Sequence, residues 1–196
     1  MSGARVACIG IGRMGWHMAA HLAAAGHEVV VADAVAELQE QWLAAHKGSS
    51  AVDLETAVEG ASFVVTSLPA DAQLLAVADQ IIGALDPTAV WIDHSTTSAA
   101  ASRDVAARVA AHGAQFLDAP VSGGVDGARN ANLTVMVGGD EAAFELARPI
   151  VEAYAKRYEL MGPSGAGQIT KMTNQICVVG LCQALAEGLD FAETAG

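Results

Sequence analysis

Apolar residues in this chain gather in short runs, each followed by a longer stretch of helical composition. Arg5–Ile9 is a strand-like run that closes on glycines, and Met14–Ala25 follows as a helix stopped at Gly26. Glu28–Ala32 is β-branched and ends at Asp33; Val35–His46 reads as a helix closed by Gly48. A short piece, Ser49–Val52, precedes Asp53, an N-cap for a small helix to Glu59. Phe63–Leu68 is a strand stopped by Pro69, and Asp71–Leu85 is a helix broken near Gly83 and ended before Pro87. Ala89–Asp93 is the next strand, and Ser98–His112 is a helix that ends at Gly113. Gln115–Leu117 and Leu133–Val137 are strands, Asp140 caps a helix to about Tyr154, and Arg157–Met161 is the last strand. Strands that alternate with helices of this length predict an α/β fold, with a doubly wound, mostly parallel sheet covered on both faces.

The end of the chain breaks the alternation. Gly165–Ala195 has no proline and no strong stop before Gly188, and predicts one long helix. At 1.5 Å per residue it would run ~45 Å. Nothing of that size in the preceding domain can cover it. The expected division is a dinucleotide-binding unit, 1–163, and a long helix, 164–196.

Composition narrows the class. Of 196 residues, 53% are hydrophobic and only 5% aromatic, and alanine is roughly a fifth of the chain. That composition argues against disorder, which needs low hydrophobicity. The formal charge is −12, with ten basic residues spread singly, which argues against a nucleic-acid or anionic-membrane footprint. Mean hydropathy is +0.35. The longest uncharged apolar stretches, Gly60–Ala70 and Ile176–Ala186, are about half of the ~20 residues that a spanning helix needs. The N-terminus shows no secretory pattern. Cys8, Cys177 and Cys182 lie in apolar segments and read as reduced core thiols of a cytoplasmic protein.

Candidate chemistry begins at Gly10-Ile11-Gly12-Arg13-Met14-Gly15, a complete G-x-G-x-x-G between the first strand and the first helix. In a Rossmann-type unit the first glycine permits the tight turn. The second lets a pyrophosphate approach the backbone, and the third lets helix and strand pack closely. The helix N-terminus then offers N–H groups and partial positive charge to the phosphates. Asp33, at the end of the second strand, would accept hydrogen bonds from the adenosine ribose and repel a 2′-phosphate. Ala34 follows it, so no arginine stands there to clamp such a phosphate, and NAD is favoured over NADP. Asp33 could also be a helix-capping residue, and the two roles are compatible.

Four segments together resemble the β-hydroxyacid dehydrogenase family. They are Gly10–Ala19; Thr66-Ser67-Leu68-Pro69; Asp93-His94-Ser95-Thr96 with Phe116–Gly124; and Lys171-Met172-Thr173-Asn174-Gln175. The resemblance implies hydride transfer between a nicotinamide dinucleotide and the hydroxyl of a small β-hydroxy acid. It implies Lys171 as general acid/base, with Ser122, Gly123, Gly124 and Asn174 on the substrate and Leu68, Pro69 and Thr96 beside the nicotinamide. The residues agree with it. A serine beside two glycines can aim several N–H groups at one carboxylate. Lys171 and Asn174, three apart, share a helical face, and Gly167 leaves space over that face. A lysine there, near a cationic ring, should have a lowered pKa suited to proton transfer. No metal site is expected.

The resemblance also implies that the long helix leads into an all-α domain, which this sequence does not include. An imine-reductase-like relative is the alternative enzyme, but that group usually replaces Lys171. A decarboxylase resembling 6-phosphogluconate dehydrogenase would carry His where Asn174 stands. The alternative from another class is a dinucleotide-binding or interaction module without turnover, against which the retained Lys171 weighs. Ile169, Met172, Ile176, Val179, Leu181, Leu185, Leu189 and Phe191 make the long helix apolar around much of its circumference. Such a helix should be buried, most simply in a homo-oligomer.

Overall fold

The computed structural model describes residues 3–46 and 50–196. The expected helix stop at Gly48 and the start of the short piece at Ser49 lie outside the described residues. In chain order the elements are β1 (Arg5–Ile9), α1 (Gly15–Ala24), β2 (Glu28–Ala32), α2 (Ala36–Ala45), β3 (Ser50–Ala51), α3 (Leu54–Val58), β4 (Phe63–Thr66) and α4 (Asp71–Ile81). They continue with β5 (Val90–Asp93), α5 (Ala99–His112), β6 (Gln115–Asp118), β7 (Val121–Ser122), α6 (Gly124–Arg129), β8 (Leu133–Gly138), α7 (Glu141–Val151), β9 (Ala155–Gly162) and α8 (Ala166–Ala195).

β3, β2, β1, β4, β5 and β6 lie side by side in that order, all parallel. β8 then runs antiparallel to β6 and β7 and pairs in parallel with β9. The chain therefore has the expected Rossmann-type doubly wound sheet, with the reversal confined to one side. Order reverses beside β1, which separates β2 from β4. The C-terminal ends of β1, β4, β5 and β6 thus open onto one crevice, where ligands of such sheets bind.

Alternation along the strands fills both faces. Val6, Cys8, Val29 and Val31 face one core with Met18 and Leu22 of α1 and Phe144 and Ile150 of α7. Ala7, Ile9, Val30 and Ala32 face the other, with Leu74 and Ile81 of α4 and Val105 and Val109 of α5. Burying each Val, Leu or Ile contributes about 1.5–3 kcal/mol, which is why the strands read as continuous apolar runs. Helix ends follow local chemistry. Asp53, Ser98 and Asp140 accept N-cap bonds from Thr56, Ala101 and Ala142, and Gly113 ends α5 in the left-handed region.

Several expectations are corrected. The helix expected to reach Leu85 ends at Ile81 and tightens into a 3₁₀ turn, Ile82–Ala84. The last strand is longer than the apolar run, because its pairing with β8 extends to Gly162. β7 and α6 arise where no element was expected. Cys8 is buried, but Cys177 and Cys182 are exposed, because none of the described residues packs over that part of α8. Beyond its first turns α8 presents Ile176, Leu181 and Phe191 more than 70% exposed. By length and composition α8 is also apolar enough to cross a membrane, with an 18-residue window of mean hydropathy 1.3. Counting uncharged stretches misses this, because the window's mean stays high across the carboxylates that interrupt the apolar run.

Candidate active site

The glycine loop has the geometry of a dinucleotide cradle. Gly10 sits at φ +82°, and a Cβ there would lie 2.5 Å from the Ser67 carbonyl oxygen. A Cβ on Gly15 would lie 1.9 Å from Gly10 O, so α1 rests directly on the turn. Gly12 differs, since a Cβ there would meet no atom within 4 Å. Its missing side chain thus leaves open space above the loop, where a pyrophosphate needs to come close to the backbone. Trp16 N and His17 N already donate to Gly12 O and Met14 O, so the donors left for it are the N–H groups of the loop ahead of them. Asp33 stands beside this loop. Its Oδ2 accepts from Ile11 N at 2.8 Å and its Oδ1 from Val35 N at 2.9 Å, which leaves lone pairs on both oxygens for a ribose diol. The helix-capping role does not hold, since the N-cap of α2 is Val35 and no side chain caps it, and the ribose-facing role is the one open to Asp33. Ile11 is buried, while Arg13 is exposed. Arg13 borders a second depression of about 380 Å³ between α1 and α2, with Trp16, His17, Leu38 and Gln41. These residues fit a nicotinamide dinucleotide.

A cleft of about 470 Å³ continues from the loop across the ends of β4, β5 and β6. Met14 and the Ser67-Leu68-Pro69 bend form one wall, His94, Ser95 and Thr96 the floor, and Val121 to Gly124 the opposite wall. Lys171 and Gln175 enter from α8. The cleft thus brings together Met14, Leu68, Pro69, Thr96, Ser122, Gly123, Gly124 and Lys171. Asn174 is half-buried but does not line it; Gln175, one helical turn beyond Lys171, accepts from Lys171 Nζ at 3.2 Å instead. The signal for Gln175 was its i+4 spacing from the lysine. Ser67, His94, Ser95 and Val121 also line the cleft and were quoted only as parts of motifs.

Lys171 is 9% exposed, and burial lowers its ammonium pKa from the ordinary 10.5. Contrary to expectation, Gly167 does not leave space over the lysine's face. It lies against the sheet, where a Cβ would approach Met136 O at 2.4 Å and Asp118 O at 2.5 Å.

Below the cleft is a buried polar network. Asp93 Oδ1 accepts from Thr66 Oγ1 at 2.6 Å and Ser95 Oγ at 2.5 Å, and Ser95 Oγ accepts from Leu68 N at 2.8 Å. Burial raises the Asp93 pKa. His94 donates through Nδ1 to Ala119 O at 2.6 Å and accepts the Tyr154 hydroxyl at Nε2, 2.8 Å away. The carbonyl can only accept, which fixes this tautomer. Burial pulls the His94 pKa down to about 4, so the ring is a neutral strut for the Ala119-Pro120 bend that carries Val121 and Ser122. Asp118 accepts from Gly165 N at 2.6 Å and Gln168 N at 3.0 Å, and holds the start of α8. Desolvation pushes its pKa up to about 6.

Fold, cradle and cleft define a domain built to hold a nicotinamide dinucleotide. A family model for the NAD binding domain of 6-phosphogluconate dehydrogenase matches residues 5–172. An uncharacterized oxidoreductase of Shewanella frigidimarina is 44% identical over 196 residues, covering 98% of this chain and 67% of that protein. A probable 3-hydroxyisobutyrate dehydrogenase of Mycobacterium bovis is 38% identical over 191 residues, covering 97% and 65%. Among solved structures, Mycobacterium tuberculosis 3-hydroxyisobutyrate dehydrogenase with L-serine matches with a TM-score of 0.95 and 36% identity, over 99% of this chain and 66% of that one. The chain belongs to the β-hydroxyacid dehydrogenase family. It spans about two thirds of the length of these relatives.

Proposed function

We propose that this chain carries the cofactor cradle and acid/base lysine of an NAD-dependent oxidoreductase acting on the hydroxyl of a small β-hydroxy acid. A 3-hydroxyisobutyrate-like acid, or tartronate semialdehyde in the reverse direction, is the substrate class. The observation that carries this reading is the placement of a partly buried lysine across one cleft from the Ser122-Gly123-Gly124 turn. A relative solved with L-serine, itself a β-hydroxy acid, supports it.

When bound, the nicotinamide ring supplies the hydride acceptor or donor. The chain's own residues do the rest. Gly10 to Gly15 and the α1 N-terminus hold the pyrophosphate, and Asp33 selects an unphosphorylated ribose. Leu68, Pro69 and Thr96 wall the cleft on the cofactor side. Gly123 and Gly124, at φ +128° and +62°, turn backbone N–H groups and the Ser122 hydroxyl toward a carboxylate. Lys171, whose ammonium pKa burial lowers, takes the hydroxyl proton in oxidation and returns it in reduction. Gln175, one turn further along the helix, accepts from Lys171 Nζ and orients the amine.

The same reading treats residues 1–163 as the dinucleotide unit and 164–196 as the helix through which two copies pair. It places the protein in the cytoplasm, with neither nucleic acid nor membrane as partner. The test is NADH absorbance with a panel of β-hydroxy acids, on this chain and on any longer form of it. Reduction of NAD by one class of small β-hydroxy acid is expected. Binding of NAD with no turnover in any form would leave a non-catalytic dinucleotide module.

A further inference from the structure

Gln168 is fully buried, one turn before Lys171, and its side chain has no place in the chemistry above. Its Oε1 accepts from Thr97 N at 3.1 Å, and its Nε2 donates to Ser95 O at 2.8 Å. Those two backbone groups flank Thr96, the residue on the cleft floor. Gln168 N is in turn held by Asp118, and Arg103 Nε donates to Ser164 O just ahead of α8. One amide therefore grips both sides of Thr96 while its own backbone belongs to the turn that leads to Lys171.

We infer that Gln168 is a positioning residue: its bonds to Ser95 and Thr97 set the separation between Lys171 and the cleft floor at Thr96. A buried amide with donor and acceptor both engaged is directional as well as cohesive, since neither bond forms if α8 slides or rotates. A helix held only by apolar packing could shift by a fraction of a turn at small cost. In reactions that depend on alignment, a displacement of about 1 Å can cost about 10²-fold in rate. The inference rests on the proposed function only where it concerns turnover.

The experiment uses the full chain and the Gln168→Met variant, which keeps the length of the side chain and removes both bonds. The chain has three lysines, Lys47, Lys156 and Lys171, so ¹³Cε-lysine NMR resolves them, and Lys171→Arg assigns the signal. The titratable and charged groups on the elements packed around the start of α8 are Asp93 and His94 at the end of β5, Arg103 on α5, Asp118 on β6, and Lys156, Arg157 and Glu159 on β9. None is changed by the substitution. In Gln168→Met, Lys171 should titrate at higher pH, toward its ordinary value, as its cover loosens. Exchange of the Thr97 amide should accelerate at least roughly tenfold. Turnover should fall by roughly ten- to a hundredfold with KM for the dinucleotide nearly unchanged. If that variant fails to fold, Gln168→Asn, too short to span both bonds, should give the same shifts. Unchanged Lys171 titration and Thr97 exchange in a folded variant would overturn the inference, even with a lowered melting temperature. If the wild type oxidises no hydroxy acid, the functional reading fails, and the NMR readouts still decide the clamp.

Discussion

Adding one methyl group to α8 should have opposite effects at two glycines. In Gly167→Ala the new Cβ would lie 2.4 Å from Met136 O and 2.5 Å from Asp118 O, with Asp118 Oδ2 at 2.9 Å. Both nearest atoms are backbone of the sheet, so the helix must move outward by roughly half an ångström or more. Overpacking of this kind costs about 1–3 kcal/mol, and a rigid sheet puts the cost near the top of that range. Replacing glycine by alanine inside a helix returns about 1 kcal/mol. The net loss is about 2 kcal/mol, which lowers the melting temperature of a chain this size by roughly 4–8 °C. Gly180, in the same helix, has no atom within 4 Å of its would-be Cβ, so Gly180→Ala keeps the whole propensity gain. It should raise helicity, and the melting temperature by roughly 2–4 °C. Thermal melts followed by far-ultraviolet circular dichroism measure both. A Gly167→Ala protein as stable as Gly180→Ala would refute the close seating of α8 on β6 and β8, and with it the fixed placement of Lys171.

Further outcomes follow from the site. Asp33→Ala should narrow the preference for NAD over NADP, read by calorimetry; tighter binding of NADPH to the wild type would sink the ribose argument. Asp118 binds its proton more tightly folded than unfolded, its pKa rising from 3.8 to about 6. It therefore contributes stability below its unfolded pKa that is lost as pH rises toward 6, and Asp118→Asn should remove that loss. Urea melts of both proteins across this window, compared as a difference, read the effect; parallel curves would contradict it. If α8 pairs two copies, light scattering at micromolar concentration should show a dimer, and Leu185→Glu should shift it to monomer. A clean monomer with α8 intact would exclude the pairing.

Much of the fold was legible because β1, β2, β4 and β5 are β-branched runs bounded by Gly, Asp or Pro, and Asp53, Ser98 and Asp140 mark helix starts. β7 and α6 were not. β7 has two residues and exists through its pairing with β8, and α6 begins Gly124-Val125-Asp126-Gly127, poor in helix propensity. Tertiary contact decides there, as Gly127 lies against Leu133. The cleft was legible as motifs, since its walls are the ends of strands that the pattern locates. What the pattern could not give was which side chain on α8 faces Lys171. Asn174 and Gln175 are three and four residues on, and only the seating of α8 on the sheet turns Gln175 into the cleft. The exposure of Cys177 and Cys182 was hidden for a related reason, because apolar sequence carries no record of what covers it.

On the proposed reading Lys171 moves the hydroxyl proton and the glycine loop holds the cofactor, so the two roles should separate under mutation. Lys171→Ala, assayed for β-hydroxy acid oxidation beside calorimetry of NADH binding, tests it most directly. Turnover should fall by about 10²–10⁴, with cofactor affinity within several-fold of the wild type. A variant that retains most of its kcat would remove Lys171 from the reaction.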